Sequence, residues 1–207
     1  MRRFLYENGL SLTFGALFLA TLVAQAFVGH SDFNNTQVDH SDPTMSLGRY
    51  LLSSAFWVDV MENWQSEYLQ FTLFVLLTVW LVQKGSPESK ELGKEGLGPD
   101  VGGGLRRRLY SHSLLIVMGM IWVGSWLAQA VTGRVEFNAE QFDHREAALS
   151  LWQYVGTSDF WNRTLQNWQS EFLAVGSFAV LTIYLRERGS PESKPVGAPH
   201  DATGVEG

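Results

Sequence analysis

Asn63-Trp64-Gln65-Ser66-Glu67 returns, at an offset of 104 positions, as Asn167-Trp168-Gln169-Ser170-Glu171. Each copy opens an apolar run, and each puts a carboxylate near the start of that run. Working outward at the same offset, residues 5–90 align with 109–194 without a gap, and about 35 of 86 positions are identical. The pairs include Gly15/Gly119, Gln25/Gln129, Gly29/Gly133, Asp39/Asp143, His40/His144, Tyr50/Tyr154 and Phe56/Phe160. The chain therefore reads as one supersecondary unit written twice. The hexapeptide Gly85-Ser86-Pro87-Glu88-Ser89-Lys90 is copied intact at 189–194.

Four apolar runs, at about 10–28, 63–82, 113–131 and 167–185, are long enough to cross a hydrocarbon layer about 30 Å thick at about 1.5 Å per helical residue. The expected fold is all-α, with four transmembrane helices arranged as two parallel two-helix repeats. Residues 1–84 form repeat 1 and 106–188 form repeat 2. Residues 85–105 read as a flexible linker and 189–207 as a disordered tail. In the outer loops, Leu47, Leu51, Ala55 and Val58 recur at helical spacing beside Phe56 and Trp57, which predicts short interfacial helices. Arg2 and Arg3 before an apolar run ending in Ala24-Gln25-Ala26 resemble a secretory signal. Ala128-Gln129-Ala130 closes the matching internal run, where no signal belongs, so the first run is read as a retained helix.

Of 15 Lys and Arg residues, 11 lie in the N-terminal flank, the linker and the tail, and only Arg49, Arg134, Arg145 and Arg163 lie in the two long loops. That asymmetry predicts both termini on the cytoplasmic side.

The bare apolar part of the fourth run, residues 172–185, spans only about 21 Å. Its polar lead-in must then enter the membrane, and the second run behaves alike. Gln25, Asn63 and Glu67, with Gln129, Asn167 and Glu171, form the predicted intramembrane polar cluster. Two roles suit it. Glu67 accepting from Gln25, and Glu171 from Gln129, would clasp helices together at about 1 kcal/mol a pair. Alternatively the two carboxylates meet near a pseudo-two-fold axis and bind a proton or cation. Asp39, His40, Asp143 and His144 are a second candidate, a divalent metal site, though a dipeptide lacks the spacing of a zinc motif.

With 0 Cys, thiolate nucleophiles, disulfides and iron–sulfur clusters are excluded. No histidine lies well inside a span, so no haem is expected, and the cofactor is otherwise open. A net charge of −6 argues against nucleic-acid binding. The expected partners are the lipid bilayer, a small ion or proton, and a second copy in a homo-oligomer. No Walker loop, nucleophile triad or HExxH is present, so the chain reads as non-enzymatic. The rival readings are a small proton- or cation-coupled transporter using Glu67 and Glu171, and a membrane metalloenzyme.

The doubled Asn-Trp-Gln-Ser-Glu before an apolar helix, with Gly-Ser-Pro-Glu-Ser-Lys behind it, resembles an uncharacterised family of bacterial integral membrane proteins of about this length. That resemblance implies a multi-pass protein of the bacterial inner membrane. It implies no activity, ligand or catalytic residue.

Overall fold

The computed structural model describes residues 2–94 and 102–205, and among these every regular element is a helix. In chain order they are α1 (Arg2–Glu7), α2 (Gly9–Asp39), α3 (Leu47–Tyr50), α4 (Ser54–Leu77), α5 (Leu105–Ser111), α6 (Ser113–Asp143), α7 (Leu151–Val155) and α8 (Ser158–Tyr184). The all-α expectation stands, and α3 and α7 are short helices where the loops predicted them. Two helices, α2 and α6, are long and apolar enough to cross a membrane. α4 and α8 run for 24 and 27 residues, but polar residues interrupt them, Glu62, Asn63, Gln65, Glu67 and Gln70 in α4 and those from Asp159 to Glu171 in α8.

Breaks in the chain recur at offset 104. Asn8 (φ −118°, ψ 17°) separates α1 from α2, and His112 (φ −116°, ψ 11°) separates α5 from α6. Asn8 also turns its side-chain amide onto the Phe4 carbonyl at 2.9 Å. α2 and α6 continue well past the expected ends at 28 and 131. Polarity in 30–42 and 134–146 suggested loop, yet neither stretch holds a Gly or Pro to stop a helix. Both helices end instead at a left-handed residue, Ser41 (φ 65°) and Arg145 (φ 61°). There the Asp42 N–H reaches back to Gln37 O at 2.8 Å, and the Glu146 N–H to Gln141 O at 2.7 Å, the six-to-one closure of a Schellman end.

The chain packs as two compact units. One comprises residues up to Val60 with Val131–Ala148; the other comprises Met61–Ala130 and Leu149 onward. Each unit draws on both sequence repeats, because packing follows contacts rather than duplication boundaries. In the first unit Asn34 lays the loop back along α2, its amide oxygen accepting from Met45 N–H (2.9 Å) and its Nδ2 donating to Met45 O (3.0 Å). Tyr50 is buried among His30, Phe33 and Phe56. Its hydroxyl covers Gly29, where any Cβ would collide with it.

The second unit holds the segments expected to be linker and tail. Residues 95–101 of that linker lie outside the described residues. Hydrogen-bonded turns recur in 85–94 and in 189–205. Gly85 N–H donates to Thr203 Oγ1 at 2.8 Å, Gly204 N–H donates to Ser86 O at 3.0 Å, and the Lys194 ammonium is enclosed by the carbonyls of Pro199, His200 and Ala202 at 3.2, 2.9 and 3.2 Å. Composition suggested disorder there because it counts Gly and Pro without seeing that a buried lysine can organise carbonyls around itself.

The Gly29–Tyr50 contact is testable. Overpacking costs about 1–3 kcal/mol, so Gly29→Ala is expected to lower the melting temperature of the detergent-solubilised protein by several degrees. Adding Tyr50→Phe, which removes the colliding hydroxyl, should recover part of that loss. Thermal melts of the single and double variants check it.

A polar clasp between α4 and α8

Within the second unit α4 buries one face: Glu62, Gln65, Ser66, Leu69 and Thr72 are enclosed, whereas Asn63 and Glu67 point outward. That stripe follows the three-and-four spacing of one helix side. α8 is set by its cap. Thr157 Oγ1 accepts from Phe160 N–H at 3.3 Å and donates to Tyr154 O at 2.6 Å, which holds α7 against the start of α8. In the first unit the equivalent Ser53 does the same, at 3.4 Å and 2.6 Å.

The buried carboxylate of Glu62 is met by three side chains of α8. Its Oε1 accepts from Asn167 Nδ2 at 2.8 Å and from Gln166 Nε2 at 3.2 Å, and its Oε2 from Arg163 Nη1 at 3.3 Å. The Arg163 Nε–H spans both Asp159 oxygens at 3.3 Å, and the Tyr154 hydroxyl donates to Asp159 Oδ2 at 2.9 Å. One continuous chain therefore runs Tyr154–Asp159–Arg163–Glu62–Asn167. Below it, Gln65 Oε1 accepts from the Trp168 indole N–H at 2.7 Å. The Gln65 side chain is itself fully buried, so this bond forms out of reach of water. Ser66 Oγ lies 3.5 Å from Glu171 Oε1, and Glu67 follows Ser66 in the chain. Trp126 of α6 completes the packing. It stacks on Trp122, meets the rings of Phe160, Trp161 and Trp168, and donates to Thr164 Oγ1 at 3.3 Å.

The residues expected to matter divide accordingly. Asn167 and Glu171 belong to this site, with Glu67 at its edge. Asn63 is exposed, Gln129 is fully buried on α6, and Gln25 is half-buried on α2 in the other unit. Asp39, His40, Asp143 and His144 are exposed where α2 and α6 end. Among the described residues no three His, Asp or Glu side chains gather as a metal would require, so those four do not form a cluster.

Glu62, Arg163, Asp159, Tyr154 and Gln65 are not among the sequence-predicted site residues. For the three charged ones the signal lies in the differences between copies, Ala55 becoming Asp159, Asp59 becoming Arg163 and Glu62 becoming Gln166, whereas Tyr154 and Gln65 are the same in both copies. Those three positions share one helix face.

Charge follows geometry. Burial, then the hydrogen bond and charge of Asp159, push the Tyr154 phenol above its ordinary range. Burial opposes the Arg163 charge, but Asp159 and Glu62 outweigh it and raise its pKa.

The model described as a domain of unknown function (DUF6766) matches residues 1–205. The chain belongs to the DUF6766 family. No curated protein and no solved structure matches it. Membership of DUF6766 brings no activity with it, so what this chain does has to follow from its own side chains.

Tyr154 supplies a pH prediction. A raised pKa means the folded state holds the phenolic proton more tightly, so the associated stability is complete below about pH 10 and is lost as pH rises further. Burial also raises the Tyr50 phenol, so phenolate absorbance of the folded protein should show two tyrosines ionising after the others, and Tyr154→Phe should remove the later of the two steps.

Proposed function

We propose that the chain is a non-enzymatic, four-span protein of the bacterial inner membrane, with both termini cytoplasmic, in which the α4–α8 clasp holds two parallel repeats together. The observation that carries this reading is Glu62, a carboxylate withdrawn from solvent and satisfied by three donors from the other repeat. A network of that kind suits helix pairing where water cannot compete. The membrane assignment is supported by α2, whose apolar window contains no buried residue, and by α6, whose window is mostly exposed. Apolar area on that scale calls for a lipid surface. The polar lead-ins at 63–67 and 167–171 then lie in the outer part of the bilayer, and their sharing of hydrogen bonds removes the cost of placing them there.

A second reading is favoured by one further observation. Glu67 and Glu171 stand on the two helices joined at Ser66 and Glu171, beside a clasp with two carboxylates for one guanidinium, which leaves acid in excess. Such a pair fits a proton or small cation, and a coupled transporter is the alternative function.

Glu67→Gln with Glu171→Gln separates the two. Under the clasp reading the double variant keeps its assembly and melts within a few degrees of wild type, while Glu62→Ala melts far lower; reconstituted liposomes show no proton-linked flux for any of them. A wild-type flux abolished by the Gln pair would move the function to transport. Because the chain has no cysteine, single introduced cysteines at the termini and in the loops report sidedness directly.

A further inference from the structure

The two Gly-Ser-Pro-Glu-Ser-Lys hexapeptides take the same shape. Gly85 (φ 87°) and Gly189 (φ 85°) make the left-handed turn that other residues resist. Ser86 N–H closes on Gln83 O at 3.1 Å, and Ser190 N–H on Glu187 O at 3.3 Å. Ser89 Oγ accepts from Gln83 N–H at 2.8 Å and Ser193 Oγ from Glu187 N–H at 2.9 Å, while Glu88 and Glu192 each donate their N–H to the first serine at 3.2 Å. The lysines are turned onto backbone carbonyls, Lys90 onto Val79 O at 3.0 Å and Lys194 onto its cradle. A turn this well specified places its glutamate.

Both glutamates line one cleft of about 380 Å³ between the later parts of α4 and α8. Its walls are matched at offset 104. Phe74 faces its counterpart Phe178, and Glu88 its counterpart Glu192. The remaining lining is likewise paired, Gln70 with Ala174 and Phe71 with Val175. A cavity of about 500 Å³ shares Gln70, Phe74, Glu88 and Val175 with it and continues along Leu73 and Leu77. Spaces of this size hold small organic molecules.

We propose that this cleft binds a free hydrophobic organic cation, its apolar groups against Phe74 and Phe178 and its charge toward Glu88 and Glu192. Aromatic faces and carboxylates attract the same sign of charge, and aromatic and aliphatic walls reject a hydrated metal ion. The site lies at the opposite end of α4 and α8 from Glu62 and Arg163, and the inference stands whether or not the clasp is the protein's main role.

The test uses the full chain in detergent and two probes of one shape and opposite charge, tetraphenylphosphonium and tetraphenylborate, followed by equilibrium binding. Saturable binding of the phosphonium alone is expected, weakened at least tenfold in Glu88→Gln/Glu192→Gln while the melting temperature holds. Phe74→Ala/Phe178→Ala should weaken it as well. Equal binding of both probes would overturn the proposal, since apolar partition would explain it. Phosphonium binding unchanged in the Gln pair would overturn it too. Binding that appears only after aminophospholipid is stripped away would reassign the cleft to a lipid headgroup. If the Gln pair does not fold, the phosphonium–borate contrast on wild type decides alone.

Discussion

A carboxylate withdrawn from water has to be met by donors, and Glu62 is met by three of them from a helix more than a hundred residues away in the chain. Isolated burial of an ionised acid costs several kcal/mol even after relaxation. Glu62 is therefore a constraint before it is a contribution, because α8 must lie where Arg163, Gln166 and Asn167 can reach it. The Gln65–Trp168 bond and the Trp126 ring cluster follow from that placement. Removing one donor would leave charge behind, which is the costly direction; replacing the whole network by apolar groups would be far milder.

Duplication explains why such a clasp can exist. A second Glu at position 166 would set two carboxylates against each other, since Gln166 there reaches Glu62. In the present chain the counterpart of Glu62 is Gln166, which donates to it, and Arg163 adds an ion pair to the same carboxylate. The doubled pentapeptide keeps a complementary part: Asn167, Trp168 and Glu171 of one copy address Glu62, Gln65 and Ser66 at the other helix. Identical positions supply the scaffold of the pairing, and divergent positions supply its chemistry.

Periodicity is what the amino-acid order makes legible. Helical runs and the short loop helices around Tyr50 and Tyr154 follow from spacing and hydropathy. Three things do not. α2 and α6 run on to Asp39 and Asp143, since a polar stretch without Gly or Pro is as good a helix as an apolar one; Pro43 marks the first stop, but the second, at Arg145, has no compositional mark. Glu62 is hidden because its counterpart is Gln166, so the repeat does not flag it as shared. The hexapeptide turns look like linker because their order comes from serine hydroxyls and lysine ammoniums bonding to backbone, a tertiary arrangement that local composition does not encode.

Whether Glu62 and Arg163 act on each other across α4 and α8 is measured most directly by a double-mutant cycle. Glu62→Gln, Arg163→Gln and the pair together are compared by thermal or denaturant unfolding in one detergent. Coupled groups of this kind give an interaction energy of about 1 kcal/mol or more, so the double variant should be less damaged than the two single losses added together. Strict additivity would contradict the clasp, and α4 and α8 would then need some other force to pair them.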